Sequence, residues 1–587
     1  MLIALLVALA AQAPAKIDFV RDVQPILRER CVSCHGPDLR MGGLRLDRRA
    51  DALRGGTQTD IGPGNADGSR LYHRVAGTAF GQQMPPTGAL TDDQIDIIRE
   101  WIDQGAEWPD DASGEPRTAV VDQKTRQLLT AALYGTAPSL QRLLATGASP
   151  NAATAFGVTP LMLAVPDIAK MQMLLDAGAD VNARSDEGRS ALAIAAGTVG
   201  AAPAVRLLLE YGADVTLARA SDASPMREAM RVNDRDIQQA LADYGALSPI
   251  IRPATALDAK STAPLYDPGR LAVPTPRGVT EVTAATVRAA IERSLPLLQD
   301  TGIAFITQTG CVSCHHNSVV SLAVSTARAK GYTVNDTLAA RERALLATYL
   351  ESWRERALQN IPIAGGADTM SYLLIGLSAD GHPGDEATDA QAIWIKRHQM
   401  PDGHWPVASN RPPIEWDDIA VTALSMRALQ QYAPAPMAAE FDQAVQRAQR
   451  WLQQASAQST NERMFRLLGL AWAKAPSDAV AAARRDLLER QREDGGWAQL
   501  EKSGSDAYAT GIALYALHES GMTGSDPVYR KGVAFLLRTQ MDDGSWFVSS
   551  RATPIQAYFE SGFPYGINQW ISAAATAWAT AALALSQ

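Results

Sequence analysis

Residues 540–546 read QMDDGSW, and the same frame, Q-x-x-D-G-x-W, stands at 399–405 (QMPDGHW) and 491–497 (QREDGGW). Each copy follows a run with an apolar stripe at helical spacing, such as GVAFLLRTQ at 532–540. The Asp-Gly pair supplies a turn residue able to take positive φ, and the tryptophan offers a large packing surface to a neighbouring helix. A second phrase alternates with the first: TALSMRAL from Thr422, TGIALYAL from Thr510 and TAWATAAL from Thr576. These alanine-rich segments are apolar nearly all round, as a helix buried on every side must be. Amphipathic helices alternating with all-apolar ones predict an outer ring of helices around an inner one, over residues 281–587.

The two phrases together resemble the QW repeats of the squalene-hopene cyclase and prenyltransferase-like superfamily. The resemblance implies an α/α toroid and is much less specific for a reaction. Cyclases that protonate an alkene carry D-x-D-D with the middle aspartate as acid; here PIEWDDIAVTAL gives Glu415, Asp417 and Asp418, an E-x-D-D. By that resemblance Asp417 is the catalytic candidate, a general acid kept protonated by burial and a neighbouring carboxylate. The competing reading is a helix cap, because Asp506 holds the equivalent place before TGIALYAL.

The chain has four cysteines, and two copies of CVSCH, at 31–35 and 311–315, use all of them. C-x-x-C-H is the attachment sequence of haem c: two thiols form thioethers and the histidine becomes the proximal ligand. Zinc would need more ligands, and a redox dithiol a thioredoxin-like βαβ setting. The reading is therefore two covalent haem c groups, held by Cys31, Cys34, Cys311 and Cys314, with His35 and His315 under the irons. Before the first motif, Phe19, Val23, Ile26 and Leu27 recur at helical spacing. After it, Met84 in QQMPPTG is the sixth-ligand candidate and His73 its rival; a helix N-capped by Thr91 closes the segment on Ile95, Ile98 and Trp101. FVRDVQPILRERCVSCHG, GGLRLD, LYHRV, MPPTG and IIREWIDQGA together resemble the planctomycete-type cytochrome c family, which implies a small helical cytochrome over residues 16–112 with His35 and Met84 as ligands.

For the second motif, Gln308 stands 91 residues before Gln399, about two repeats, so the attachment falls in a repeat-junction loop and the haem is expected at the rim. His316 cannot reach the far face of the haem its neighbour holds. His382, His404, His518, Met370 and Met400 are the candidate sixth ligands, and an open position is the alternative. The tail YFESGFPYGINQW reads as a closing helix pair, with the lining of the ring mouth as the other reading.

Between the haem-bearing ends, TGASPN, AGADVN, YGADVT and YGALSP place Gly-Ala pairs at Gly147, Gly178, Gly212 and Gly245, spaced 31, 34 and 33 residues apart. Period and letters, including Thr159 to Leu161 (TPL), resemble ankyrin repeats over residues 123–248. These imply a protein partner, or else a rigid spacer. Linkers are read at 113–122 and, proline-rich, at 249–280.

The 587 residues exceed one hydrophobic core. A net charge of −9 argues against nucleic acid as partner. The opening MLIALLVALAAQAPA reads as a signal peptide over residues 1–15, too short to span a bilayer, and no later stretch is long enough. The expected protein is mainly α and multidomain: a periplasmic or secreted di-haem cytochrome with a redox partner protein. The alternatives are a haem-dependent oxidoreductase on an apolar substrate, a terpene-cyclase-like enzyme, and a redox-sensing scaffold.

Overall fold

The computed structural model describes residues 16–37, 40–56, 59–77, 83–86, 88–114, 122–216, 224–246, 275–309, 312–552 and 561–587. The signal peptide expected at 1–15, Cys311 and most of both linkers lie outside the described residues. The described residues are mainly helical and contain no strand, only isolated β-bridges.

The N-terminal unit starts with a π-turn, Phe19–Val23, that runs into α1 (Gln24–Arg30). Phe19, Val23, Ile26 and Leu27 are all buried. Then come α2 (Arg49–Arg54), α3 (Arg70–Ala76) and α4 (Asp92–Asp103). Thr91 caps α4 in a reciprocal pair: its hydroxyl accepts from Gln94 N at 3.3 Å, and Gln94 Oε1 accepts from Thr91 N at 3.1 Å. Phe19 stacks on Trp108 at 4.0 Å and leans on Trp101 at 5.7 Å, which ties the two ends of the unit together.

Four helix pairs follow: α5 (Gln123–Tyr134) with α6 (Ala137–Ala145), α7 (Pro160–Ala164) with α8 (Ile168–Asp176), α9 (Ala191–Ala196) with α10 (Ala202–Glu210), and α11 (Pro225–Arg231) with α12 (Arg235–Asp243). Asparagines stitch one pair to the next. Asn151 Nδ2 donates to Gly178 O at 3.0 Å and its Oδ1 accepts from Asp180 N at 2.7 Å. Asn182 repeats both bonds, one repeat on, with Gly212 O (3.1 Å) and Asp214 N (2.9 Å).

Among the described residues, the last three hundred hold twelve α-helices: α13 (Ala284–Thr309), α14 (Val319–Ala329), α15 (Asp336–Leu358), α16 (Gly366–Ala379), α17 (Glu386–Arg397), α18 (Asp418–Gln431), α19 (Ala438–Gln454), α20 (Thr460–Trp472), α21 (Ser477–Leu488), α22 (Ala507–Glu519), α23 (Pro527–Thr539) and α24 (Gln569–Leu585). The even-numbered ones pack each on the next, and α24 returns to α14, so six helices close a circuit. The odd-numbered ones lie outside them.

The repeated heptapeptides explain the circuit. In all three the tryptophan N–H groups are satisfied alike: the main chain of Trp405, Trp497 and Trp546 donates to Thr422, Thr510 and Thr576 Oγ1 at 2.9–3.0 Å. Each indole donates to a carbonyl ten residues back (Ile395, Leu487, Leu536) at 2.7–3.0 Å. The glutamine amide caps its own turn and reaches the next outer helix: Gln399 to Ala444 O, Gln491 to Val528 O and Gln540 to Ala290 O, at 2.8–2.9 Å. Ala290 belongs to α13, so the last heptapeptide locks the end of the circuit to its start. The threonines that open the apolar phrases are therefore the acceptors of the tryptophans before them.

The ankyrin-like array packs directly on the circuit's outer side. Arg397 Nη2 donates to Val165 O at 2.7 Å and Asn360 Nδ2 to Ile194 O at 2.9 Å. One array residue joins all three units. Glu187 accepts from Arg356 Nε of α15 at 2.9 Å, from Arg54 of the N-terminal unit at 3.2 Å, and lies 3.5 Å from Arg40. Arg356 donates onward to Gly43 O at 3.0 Å and Gly55 O at 3.2 Å.

Candidate functional site

Helix α1 delivers Cys31 by helical bonding: Cys31 N donates to Leu27 O at 3.0 Å, and Cys34 N and His35 N both donate to Cys31 O, at 3.1 and 2.9 Å. The two thiols and the imidazole thus share one turn. Cys31 is buried and Cys34 half-buried. Burial pushes the Cys31 thiol up to about 11 and the His35 imidazole below its ordinary value. His35 Nδ1 is buried with no hydrogen-bond partner, a group that a folded protein normally satisfies. Met84 is half-buried and packs on the same apolar cluster that contains Cys31. Its N–H donates to Arg74 O at 2.6 Å. His73, the rival, has Nε2 at 2.7 Å from Asp67 O. The donor set of two thiols, an imidazole and a thioether on one core fits a covalent haem.

The second CVSCH sits between outer α13 and inner α14, the same connection that carries the heptapeptides in later repeats. Cys314 opens a π-turn, Cys314–Ser318, that leads into α14. Cys314 is buried. The π-turn packs against α13, α14, α16 and α24, because here the chain enters the inner helix at once instead of turning outside it. His315 Nδ1 meets Ser313 Oγ and, at 3.0 Å, His316 Nδ1. Histidine ligands commonly have one ring nitrogen held like this while the other binds metal. Burial, then the Arg411 charge, drives His315 down to about 3, so the ring is neutral at ordinary pH. His316 is fully buried, bonds Ser561 Oγ at 3.1 Å and stacks on Phe305 at 5.1 Å. Among the tail's described residues there is no helix pair, only a short turn, Gly566–Asn568, leading into α24. Its described part lines this site: Ser561 on His316, Phe563 at 6.0 Å from His316, and Trp570 at 5.9 Å from His315.

The N-terminal ends of the inner helices bring further polar groups here. Asp368 and Tyr372 (α16), Glu415 and Asp417 (before α18), and Tyr508 (α22) act electrostatically on the Cys314 thiol or on one another. Both carboxyl oxygens of Asp368 and the hydroxyls of Tyr372 and Tyr508 are buried without hydrogen-bond partners. Burial holds the Asp368 carboxyl well above its ordinary range, with Glu415 and Asp417 adding to the effect. Sequence reasoning missed these three; Asp368 and Tyr372 stand in an apolar helix, the one signal that was present. Glu415 is paired with Arg411, whose Nε donates at 2.7 Å.

Asp417 is the N-cap of α18: Oδ1 accepts from Ala420 N at 2.7 Å and Oδ2 from Asn461 Nδ2 at 2.8 Å. Asp506 caps α22 the same way, accepting from Ala509 N at 2.9 Å. Burial raises both carboxyls to about 6. Of the sixth-ligand candidates, His382 and His518 lie at the C-terminal ends of α16 and α22, opposite to the π-turn. His404 bonds Asp402 at 2.6 Å and stacks on Trp451 at 5.2 Å. Met370 is buried on α16, and Met400 lies in the first heptapeptide's loop.

Two family models match the chain. Residues 31–88 match planctomycete cytochrome c. That stretch begins at Cys31 and ends just past Met84; a domain of this kind implies covalent haem c and suggests electron transfer. Residues 128–219 match ankyrin repeats, three copies, a family that suggests protein binding. No curated protein matches the chain. Among the described residues no helix is long and apolar enough to cross a membrane.

Proposed function

We propose that the protein is an exported di-haem c-type cytochrome, with one-electron transfer as its chemistry and a redox protein as its partner. The observation that carries this reading is the single turn holding Cys31, Cys34 and His35 inside a matched cytochrome c domain. Haem c supplies an iron centre that changes by one electron between two oxidation states. Cys31 and Cys34 would hold the first, His35 and Met84 would ligate it, and the apolar cluster around them would exclude water. For the second, Cys311 and Cys314 would be the anchors and His315 the proximal ligand, oriented by Ser313 and His316. In this reading the closed circuit of helices is an α/α toroid of the cyclase and prenyltransferase-like kind, put to use as a haem carrier. The N-terminal apolar run would export the chain to the periplasm or beyond.

A second reading, a haem-dependent oxidoreductase, is favoured by one observation: the buried Asp368, Tyr372 and Tyr508 beside Cys314 have hydrogen-bonding capacity that no other group uses. The cyclase reading has less support, since both oxygens of Asp417 are engaged and Asp506 repeats its capping role. The test is peptide mass spectrometry of the protein made with a c-type maturation system. Haem on both CVSCH peptides is expected; haem on the first alone would remove the second site from the proposal.

A further inference from the structure

The four helix pairs of the array meet the helical circuit in one repeated way: the first helix of each pair ends against α15, α17 or the turns that follow them. Tyr134, the last residue of α5, hydrogen-bonds the Asp389 carboxyl of α17. Val165, just past α7, offers its carbonyl to Arg397 Nη2 at 2.7 Å. At the end of α9, Asn360 Nδ2 donates to Ile194 O at 2.9 Å and to Thr198 Oγ1 at 2.6 Å, and Val199 N donates to Arg397 O at 3.0 Å. Arg231, the last residue of α11, stands 3.4 Å from His398 Nε2, and the other ring nitrogen of His398 is 2.7 Å from Trp394 O. Tyr134, Val165, Thr198 and Arg231 are 31, 33 and 33 residues apart, the period of the array itself. The turns entering α7 and α9 add Thr154 on Glu355 at 3.4 Å and Ser185 on Gln359 at 2.5 Å. Every one of these contacts comes from a first helix or from a turn beside it. On the circuit's side the groups involved are polar and deep: Gln359, Asn360 and Arg397 are buried. Both acceptors of the Asn360 amide belong to the array, as does one of the two carbonyls that Arg397 binds, the other being Leu358 O.

We infer that the first-helix side of the array is a protein-binding face whose partner is the helical circuit of its own chain, held by contacts that do not need the linker between them. A buried polar group is normally satisfied, and leaving it without its partner costs its full desolvation. The Asn360 amide and the Arg397 guanidinium therefore make the circuit depend on the array as much as the array depends on the circuit. The protein binding that ankyrin repeats suggest is, on this face, met within the chain. A second protein can reach the array only from the side of α6, α8, α10 and α12. The inference needs no assumption about how many haems are attached.

The test cuts the folded, full-length protein between the two parts. A site for a sequence-specific protease, flanked by Gly-Ser spacers, is inserted between Thr262 and Ala263 in the proline-rich linker. After cleavage, analytical ultracentrifugation at falling concentration measures whether the two pieces stay together. They are expected to do so with a dissociation constant below about 1 µM, the range of stable specific interfaces. Asn360 has φ +60°, so Asn360→Gly keeps the left-handed turn while removing the amide. Combined with Arg397→Met, it should weaken the association at least about tenfold. Arg356, which also binds the N-terminal unit, is left in place, so the change reports the array's share. Arg206→Glu, at an exposed position of α10, should leave the association unchanged. Circular dichroism of the uncut chains checks each fold, and the wild-type cut decides the inference even where the double variant fails to fold. Wild-type pieces that separate at about 10 µM, a folded double variant that associates as tightly as wild type, or an equal loss in Arg206→Glu would each overturn the inference.

Discussion

Replacing Glu187 by glutamine tests how the three units are held. Three arginines converge on this carboxylate, and Arg356 and Arg54 beside it are themselves almost wholly buried. Although burial alone would raise its pKa, the charges of Arg356 and Arg54 hold Glu187 down to about 2 against an ordinary 4.5. At 1.36 kcal/mol per pH unit, that difference corresponds to about 3 kcal/mol of stability at neutral pH. Removing one partner from a buried ion pair costs a similar amount, about 3–5 kcal/mol, because the remaining charges stay buried and unmatched. The variant Glu187→Gln should therefore lose about 3 kcal/mol at pH 7. Because the folded pKa is depressed, the contribution is present in full above pH 4.5 and fades as pH falls towards 2. The gap between wild type and variant should consequently stay constant from pH 7 to 5 and begin to close at pH 4. Differential scanning calorimetry at each pH measures it, and the variant should show the N-terminal unit melting apart from the rest. Superimposable thermograms at pH 7, or a gap that widens on acidification, would refute the assignment of Glu187 as the joint.

Gly544 sits at φ +91°, and a Cβ there would stand 2.4 Å from Arg293 O of α13; Gly544→Ala should cost about 2 kcal/mol or more and lower the melting temperature of the circuit, whereas an unshifted melt would contradict the closure described. Met84→Ala should leave the Cys31 and Cys34 attachments intact by peptide mass while lowering the reduction potential, since a thioether opposite histidine raises it; an unchanged potential would move the ligand to His73. Asp417→Ala should cost about 1–2 kcal/mol through loss of the cap, with Asp506→Ala similar, both read from chemical denaturation. Asp417 has a raised pKa, so its protonated form favours folding below pH 3.8 and that contribution is lost as pH rises through about 6. Asp417→Asn should gain stability relative to wild type over that window, and a flat difference would show the carboxyl to be ordinary.

Local chemistry was legible wherever one short stretch contained all its own partners. The heptapeptides announced turn and tryptophan, and the threonines of the alternating phrase turned out to be the acceptors of those tryptophans. The Thr91 cap likewise uses a neighbour three residues away. What the sequence hid depends on residues far apart in the chain. Glu187 gathers Arg40, Arg54 and Arg356 from other units, and no spacing rule links them. Asp368 and Tyr372 stand in an apolar helix, and only the closing of six helix ends brings them to Cys314. The burial of Cys314 was hidden for the same reason, since the depth at which a loop enters the core is a tertiary property.

The central claim is that both CVSCH sequences carry haem. The direct measurement is the mass of the intact, denatured, full-length protein after expression with a c-type maturation system, with a pyridine haemochrome assay for haem per chain. Two covalent haems are expected, with loss of one each in Cys34→Ser and Cys314→Ser. A single haem that survives Cys314→Ser would contradict it and leave Cys314 and His315 as parts of a buried core.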